Sequence, residues 1–450
     1  MDQEIRAMFR AYDIRGNTDE GLTPEVMERI GKAYGTFLHR EADHDEVSVG
    51  RDARNTSREL HRAFINGLRT TPVGTIHDLG LQPFGVVLYH AWSEGNEAAF
   101  ITASHLSKEW NGVKFYHPDG VGYEADENEQ IRDIFDAEDF AEGDAELEAA
   151  SPREEYLDYL VETIDGGDLD IVLDCGNGVG GLTAPHLFKR LGFDVDTLFE
   201  EPDGDFPNRA SDITDESMAA MKEEVGDHDL GIAYDGDSDR CGLITPSGRV
   251  LSADETAYLV LDQLLEERPG PVIANVECSR MVEEVATEHG CEVERIRVGH
   301  PYLYNAVREL DAVFGVEKAG HFAVPHVFNL DDAVAASAVF ASLLADSERS
   351  IQEQVDDLPT YHGHREAFDC LDSTKFDVVA ALQERYAEEY EDTNTIDGVR
   401  VDLDDGWILV RASNTSPKIR LTVEAESEDA ADELKQRFAD DLEQAIEEMG

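Results

Sequence analysis

Basic residues are scarce in this chain: 37 Lys and Arg stand against 99 Asp and Glu over 450 residues, a formal net charge of −62. Only nine of the 37 are lysine. A chain of this balance has no basic footprint, which excludes nucleic acid and anionic membrane as partners. The acid is not gathered into a disordered tail, because Asp and Glu run through periodic segments that also carry Val, Ile, Leu and Phe. A folded surface this negative repels itself unless screened, and the screening length shrinks to about 3 Å near molar salt. The composition therefore fits a salt-rich cytoplasm, as in a halophilic archaeon. Cysteine is scarce as well. Cys175, Cys241, Cys278, Cys291 and Cys370 lie far apart with no Cys-x-x-Cys, which leaves neither a zinc site nor a disulfide framework and implies buried free thiols. No run of eighteen apolar residues occurs, and the first residues, MDQEIRAMFRAYD, are charged and lack the apolar stretch of a signal peptide. The expectation is a soluble, cytoplasmic protein.

What is present is a rhythm. Runs rich in Val and Ile, such as LDIVLD (169–174), DLGIAY (229–234), PVIANV (271–276) and DAVFGV (311–316), alternate with amphipathic helical stretches, the mark of α/β layers. Ser151-Pro152 reads as a helix start, with serine as N-cap and proline at the first helical position. After Leu358-Pro359 the order changes to a helix over 374–389, a strand, an Asp405-Gly406 hairpin turn, two more strands and a long final helix. The reading is three similar mixed α/β-layer domains, 1–150, 151–250 and 251–362, and a smaller C-terminal α+β domain, 363–450.

Four stretches carry chemistry. DGDSDR (235–240) follows an apolar strand and sets Asp235, Asp237 and Asp239 at alternate positions. Three converging carboxylates repel unless they hold a hard cation, and Mg²⁺ suits few carboxylates plus a phosphate oxygen. An EF-hand is excluded because Arg240 stands where its glycine is required and Pro246 where its glutamate is. The alternative is a solvated acidic loop. RASNTSPKIR (411–420) gathers Arg411, Ser413, Asn414, Thr415 and Arg420 about a turn, a receptor for a phosphate dianion or else a plain hairpin with charged flanks. GVEKAGHF (315–322) places Glu317 and His321 just after a strand, where a carboxylate and an imidazole can bind sugar hydroxyls and move protons. DCGNGVGG (174–181) satisfies G-x-G-x-x-G, with Glu200 and Glu201 about twenty residues on, so a dinucleotide site competes with tight strand-to-helix packing.

ITASHLSKEWNGVKF (101–115) puts Ser104 beside His105 at the end of an apolar strand, with Lys114 ten residues on. Adjacent residues are poorly placed as nucleophile and base of a triad, so hydrolase logic does not fit. Taken in order, FRAYDIRG (9–16), GRDAR (50–54), TASH with NGVKF, DGDSDR, the Glu317 loop and RASNTSPKIR resemble the α-D-phosphohexomutase superfamily, nearest its phosphomannomutase/phosphoglucomutase branch. The resemblance implies four domains around a central cleft, each donating one loop. It implies that Ser104 carries the phosphoryl group and helps Asp235, Asp237 and Asp239 hold Mg²⁺, with Tyr12, Arg15, His105, Lys114 and Arg240 around it. By the same resemblance Glu317 grips the sugar, His300 keeps the neighbouring Val-Gly-His pattern, and the 411–420 loop holds the substrate's existing phosphate. Lys114, His105 and His321 are the candidates for general acid and base.

The implied reaction interconverts hexose 1-phosphate and hexose 6-phosphate, of mannose, glucose or both, through a 1,6-bisphosphate, with glucose 1,6-bisphosphate as activator. The partner is a phosphorylated hexose and the assembly a monomer or small homo-oligomer. A phosphoglucosamine mutase, or a binding homologue that has lost activity, is the alternative. Three departures from the family pattern stand out. Leu106-Ser107 replaces the usual Asn-Pro, which predicts a loosened serine loop. Ala319 replaces a serine, and Glu277 stands where a substrate-contacting lysine is common.

Overall fold

The computed structural model describes residues 3–42, 45–413 and 417–449. Four sheets follow one another along the chain. The first has six strands, in the order Ile14–Asn17, Trp110–Tyr116, Glu97–Ile101, Val47–Arg51, Thr75–Leu81, Glu146–Ala149. Its middle strands run parallel, and Trp110–Tyr116 lies antiparallel to Glu97–Ile101. Two four-stranded sheets follow, each with two parallel pairings and one antiparallel edge: Cys241–Ile244, Leu230–Tyr234, Asp170–Asp174, Asp194–Leu198, then Val293–Ile296, Val272–Asn275, Phe314–Val316, Phe322–Ala323. The last sheet is antiparallel throughout, running His362–Asp369, Lys418–Ala425, Gly406–Ala412, Val399–Leu403, Thr393–Asn394. Three mixed α/β layers and a smaller α+β unit are thus as the sequence rhythm indicated. Among the described residues no helix is long and apolar enough to cross a membrane.

Local chemistry sets the elements. Helix Ala253–Glu267 starts at Ser252, whose hydroxyl accepts from Glu255 N while the Glu255 carboxylate accepts from Ser252 N, a capping box. Ser151 does not cap its helix as expected. Arg153–Thr163 begins one residue later, with Pro152 in the N-cap position, because proline needs no N–H partner there. The helix over Lys375–Glu389 is where the sequence placed it, but the hairpin turn falls one residue earlier than Asp405-Gly406, at Asp404-Asp405, because Gly406 already pairs with Leu403 in the ladder.

Helix Ala333–Ala345 is apolar all round and buried, so it has no solvent face and belongs between layers. Asp332 caps it, accepting from Val334 N at 2.9 Å and Ala335 N at 3.1 Å. Tyr156 OH donates to the same carboxyl at 2.7 Å, yet burial pushes the Asp332 pKa up to about 6. Around this helix one hydrophobic cluster runs from Leu79 to Leu358 and takes side chains from all of the first three sheets or their helices. The fourth sheet packs its own core, from Cys370 to Ala445. It meets the third unit through Val276, Trp407 and Leu409 and through buried Arg400, which donates to Val276 O at 3.0 Å and Cys278 O at 2.8 Å.

Candidate active site

Ser104, Asp235 and Glu317 each lie just past the carboxyl end of a strand in its sheet, Glu97–Ile101, Leu230–Tyr234 and Phe314–Val316, the position where open α/β sheets expose loops to a crevice. The three loops meet. The Ser104 hydroxyl is buried and donates to Asp235 Oδ2 at 2.8 Å, with Asp239 Oδ1 at 3.4 Å. Ser104 has φ +51°, a left-handed conformation that costs a side-chain-bearing residue energy. Its N–H donates to Thr102 Oγ1 at 2.9 Å. Loop 235–240 is in turn fixed from outside: Phe84 N donates to Asp237 O at 3.1 Å and Ala333 N to Ser238 O at 3.2 Å.

Asp235, Asp237 and Asp239 are at most 1% exposed and each offers a carboxylate oxygen within 4.8 Å of the others. Burial and mutual repulsion raise the pKa of Asp235 and Asp237, whereas Lys114, paired with Asp239 and 3.5 Å from Asp237, outweighs burial at Asp239 and lowers it. Asp237 Oδ1 is buried without a hydrogen-bond partner. Three buried carboxylates face a single ammonium, and with Asp237 Oδ1 left without a partner they keep negative charge and a free oxygen that suit a hard divalent cation. A second cluster, Asp239, His321 and Asp331, is tied into a hydrogen-bond network through one oxygen of Asp331, while Asp331 Oδ2 is buried without a hydrogen-bond partner. His321 Nδ1 lies 3.0 Å from Asp331 Oδ1, Tyr304 OH donates to the same oxygen at 2.8 Å, and Arg240 Nε donates to His321 Nε2 at 3.0 Å. The arginine contact marks Nε2 as the lone-pair nitrogen, which puts the neutral ring's proton on Nδ1, facing Asp331.

A cavity of about 880 Å³ opens beside this cluster, lined by residues of the first three units. Arg10, Arg15, Lys114, Arg132 and Arg240 face it, against Asp13, Glu129 and Glu317, so the sign of the surface is reversed there. Arg15 pairs with Asp13 at 2.8 Å. His105 is stripped of its proton by burial and by Arg240 and Arg15, its pKa pushed down to about 2. Lys114 stays charged, since Asp237 and Asp239 outweigh its burial. Burial also pushes His300 well below its ordinary value. His300 Nε2 is buried without a partner, and the residue lines the cavity. Burial and Asp13 raise Tyr12 to about 12. Glu317 is 3% exposed and accepts from Gly299 N at 2.7 Å and Asn275 Nδ2 at 3.1 Å.

The fourth unit approaches differently. Arg411 lies near Tyr12 and pairs with Asp397 at 2.9 Å and Glu277 at 3.7 Å. It does not line the main cavity; Tyr12 and Val298 border both that cavity and a second, of about 290 Å³, which reaches Asp397 and Gly398. Ser413 is buried, and Arg420 stands opposite Arg411 in the strand register. Asn414 and Thr415 lie outside the described residues. Glu277, the acid at a usual lysine position, takes Arg365 at 2.9 Å.

Of the two readings of 176–181 the packing one holds, and one expectation, the loosened serine loop, is corrected. The glycines of 176–181 serve packing: a Cβ on Gly178 would sit 2.8 Å from Gly236 O and 3.0 Å from Asp235 O, and one on Gly181 would strike Glu200 O. They let the strand-to-helix turn back directly onto the aspartate loop. The serine loop is not loosened by Leu106-Ser107, because Arg54 holds both carbonyls, at 2.6 Å and 2.7 Å. Sequence reasoning also missed Asp331, which carried no motif beyond the Asp331-Asp332 pair ahead of an apolar helix.

A buried serine on an acidic triad, facing a cation-lined cleft among three α/β layers and a fourth α+β unit, defines an enzyme that moves a phosphoryl group on an anionic substrate. The chain belongs to the phosphoglucomutase/phosphomannomutase family of the α-D-phosphohexomutase superfamily: its α/β/α domain I model matches residues 6–142, domain II 154–248, domain III 252–361 and the C-terminal domain 368–441. A protein of Methanopyrus kandleri named as a phosphoglucosamine mutase is 37% identical over 98% of this chain and 99% of its own. A phosphoglucomutase/phosphomannomutase of Thermococcus kodakarensis is 32% identical over 98% and 99%. The crystal structure of a phosphoglucomutase/phosphomannomutase family protein from Burkholderia thailandensis superposes with a TM-score of 0.89 at 29% identity, covering 98% of each chain. The protein is accordingly an intramolecular phosphotransferase of the phosphohexomutase class.

Proposed function

We propose that the enzyme interconverts the 1- and 6-phosphates of glucose, mannose or both, with phospho-Ser104 as the phosphoryl donor. The observation that carries this is the Ser104 hydroxyl, buried and 2.8 Å from Asp235 in a loop that three units fix. The phosphoryl group leaves Ser104 Oγ as the free hydroxyl of a hexose monophosphate attacks phosphorus; the sugar hydroxyl gives its proton to a base of the cleft, and Ser104 Oγ takes one up from an acid of the cleft to become the free serine hydroxyl. His321 suits the task of base. Its Nε2 would take the proton in place of the hydrogen bond it accepts from Arg240, which then turns to the phosphoryl group, and Asp331 and Asp239 outweigh burial to keep its pKa raised. Lys114, held charged, and Arg15 and Arg240 neutralise the moving group. Glu317 and His300 take sugar hydroxyls, while Tyr12, Arg411, Ser413, Asn414, Thr415 and Arg420 hold the phosphate that stays. The bisphosphate then turns over in the cleft and its other phosphate passes to Ser104 Oγ, the serine proton returning to the sugar oxygen. Net, the phosphate exchanges between C1 and C6.

Asp235, Asp237 and Asp239, with an oxygen of phospho-Ser104, would hold Mg²⁺. When bound, Mg²⁺ offsets the charge of the phosphoryl group and of the three carboxylates. Glucose 1,6-bisphosphate would restore phospho-Ser104 after loss of its phosphate. Boundaries near residues 150, 250 and 362 then give each unit one loop of the site. Glucosamine phosphate is the second reading for the sugar, favoured by the name of the Methanopyrus kandleri relative.

A panel of hexose and hexosamine 1-phosphates, assayed with Mg²⁺ and catalytic glucose 1,6-bisphosphate at high KCl, ranks the substrates. Intact-mass measurement should show one phosphate that disappears in Ser104→Ala. Turnover by Ser104→Ala, or no phosphate adduct on a fully active wild type, would refute the phosphoserine.

A further inference from the structure

We infer that Arg54 is the positioning residue for the nucleophile: its guanidinium sets the backbone of the Ser104 loop, and through it the place of the serine hydroxyl. The inference rests on the reading of Ser104 as phosphoryl carrier. Arg54 is 1% exposed and uses every donor it has. Nε donates to Asp52 Oδ2 at 3.0 Å. Nη1 donates to Ser107 O at 2.7 Å and Trp110 O at 3.1 Å, and Nη2 to Ser104 O and Leu106 O, both at 2.6 Å. A guanidinium has five N–H groups, and here four end on carbonyls of a single loop, one of them the carbonyl of the nucleophile itself.

The fork cannot turn, because its counter-ion is fixed. Asp52, fully buried, also accepts from Arg54 N at 3.0 Å, from Thr102 Oγ1 at 2.8 Å and from Ser57 Oγ. Thr102 Oγ1 in turn accepts the Ser104 N–H. Both peptide groups that flank the Ser104 side chain are therefore tied to one Asp52–Arg54–Thr102 unit. A residue with a side chain persists at φ +51° only where its surroundings over-determine it. The unit also reaches the metal loop's domain: Arg54 lies over the Phe206 ring at 5.4 Å and bridges to Gly204. Lysine could not replace it, since a three-donor ammonium cannot serve four carbonyls and a carboxylate in a plane. The same grip explains why the loop holds its shape with Leu106-Ser107 in place of Asn-Pro.

A brace that only stabilises the fold would lower the melting temperature and leave the folded enzyme's rate alone. A positioning residue lowers kcat in the folded enzyme. For Arg54→Lys, the expected result is a folded protein whose kcat falls by about 100-fold with KM unchanged within about threefold, and whose Ser104 is phosphorylated more slowly by glucose 1,6-bisphosphate. Guanidinium ion at tens of millimolar should restore about tenfold of the lost kcat to Arg54→Ala and nothing to Arg54→Lys, whose ammonium occupies the space. A folded Arg54→Lys that keeps kcat within about threefold, or a folded Arg54→Ala deaf to guanidinium, overturns the inference. Should neither variant fold, hydrogen exchange on the wild type decides: the amides of Ser104, Leu106 and Trp110, which donate to Thr102 Oγ1, Ala103 O and Ser107 O, exchange as slowly as those of strand Glu97–Ile101 if the grip is as described, and fast exchange at those three refutes it. A wild type that turns over without phosphate on Ser104 would instead fail the phosphoserine reading and leave the loop measurement standing.

Discussion

Replacing Lys114 by methionine removes the ammonium that Asp239 and Asp237 share. Lys114 is 2% exposed and both carboxylates are 1% or less, so the variant leaves buried negative charge unpaired. Breaking a buried pair from one side costs about 3–5 kcal/mol. The carboxyls can escape part of that cost by taking up a proton, and Asp235 and Asp237 are already raised by burial and mutual repulsion. The sign follows from linkage. A carboxyl raised in the folded state costs nothing below its unfolded value of about 3.9, costs progressively more as pH rises above it, and reaches its full penalty only above the folded value. At about 1.36 kcal/mol per pH unit, one carboxyl can cost at most about 1.5 kcal/mol at pH 5. The lowering of Asp239 by Lys114 is lost at either pH, and the penalty on the raised carboxyls adds to it as pH rises, so the loss from Lys114→Met should be smaller at pH 5 than at pH 8, where it reaches about 3–5 kcal/mol. If the first two units unfold together, the loss at the higher pH is a drop of roughly 6–20 °C. Melting curves of wild type and variant in EDTA and high KCl at the two pH values make the test, and added Mg²⁺ should narrow the gap by mass action. Equal drops at both pH values, or a drop under about 2 °C at pH 8, would refute the view that Lys114 neutralises a buried triad.

Asp331→Asn keeps the shape that receives Tyr304 and His321 but offers His321 Nδ1 an amide that can turn its NH₂ toward the ring, so kcat should fall by about 10²-fold with KM little changed; steady-state kinetics that show no fall in kcat remove Asp331 from the site. His117 has its Nε2 3.0 Å from Glu127, and burial is outweighed by Glu127 and Glu97 so that its pKa rises to about 9. A raised histidine stabilises fully below its unfolded value of about 6.5 and loses that contribution as pH climbs through the folded one. The melting-temperature advantage of wild type over His117→Gln should be largest near pH 6 and gone by pH 10; an advantage that does not vary with pH tells against the pairing.

How much of this was legible in the sequence depended on how far apart the partners lie. Asp235, Asp237 and Asp239 announce themselves because three carboxylates fall within one turn, and Glu317 with His321 because one loop holds both. Strands such as Leu230–Tyr234 were plain from apolar runs. Arg54 stood inside a quoted motif without a role, since its acceptors are carbonyls about fifty residues away and a carbonyl has no sequence signature. Asp331 reaches His321 across a loop and Tyr304 across 27 residues, and an acid before a helix reads as a cap. The glycine run 176–181 matched a dinucleotide pattern, though a lone glycine match is weak and packing was the stronger reading. Only the approach of Gly236 O showed what the missing side chains make room for.

The distribution of cores has a bearing on how the chain can be divided. Four sheets suggest four detachable pieces, yet the hydrophobic body from Leu79 to Leu358 is one. A cut between the first and second sheets, or the second and third, would bare buried rings such as Tyr116, Tyr234 and Phe314 to water. Past residue 362 the chain wraps apolar side chains of its own and rests on its neighbour through a small apolar contact and a polar seam, in which Arg400 reaches Val276 and Cys278, Arg365 and Arg411 reach Glu277, and Glu424 receives Ser279 and Arg280. The molecule has one seam, and it runs beside Arg411: the last unit is the part that recombination could exchange, or thermal motion could swing, without unmaking the serine and aspartate loops.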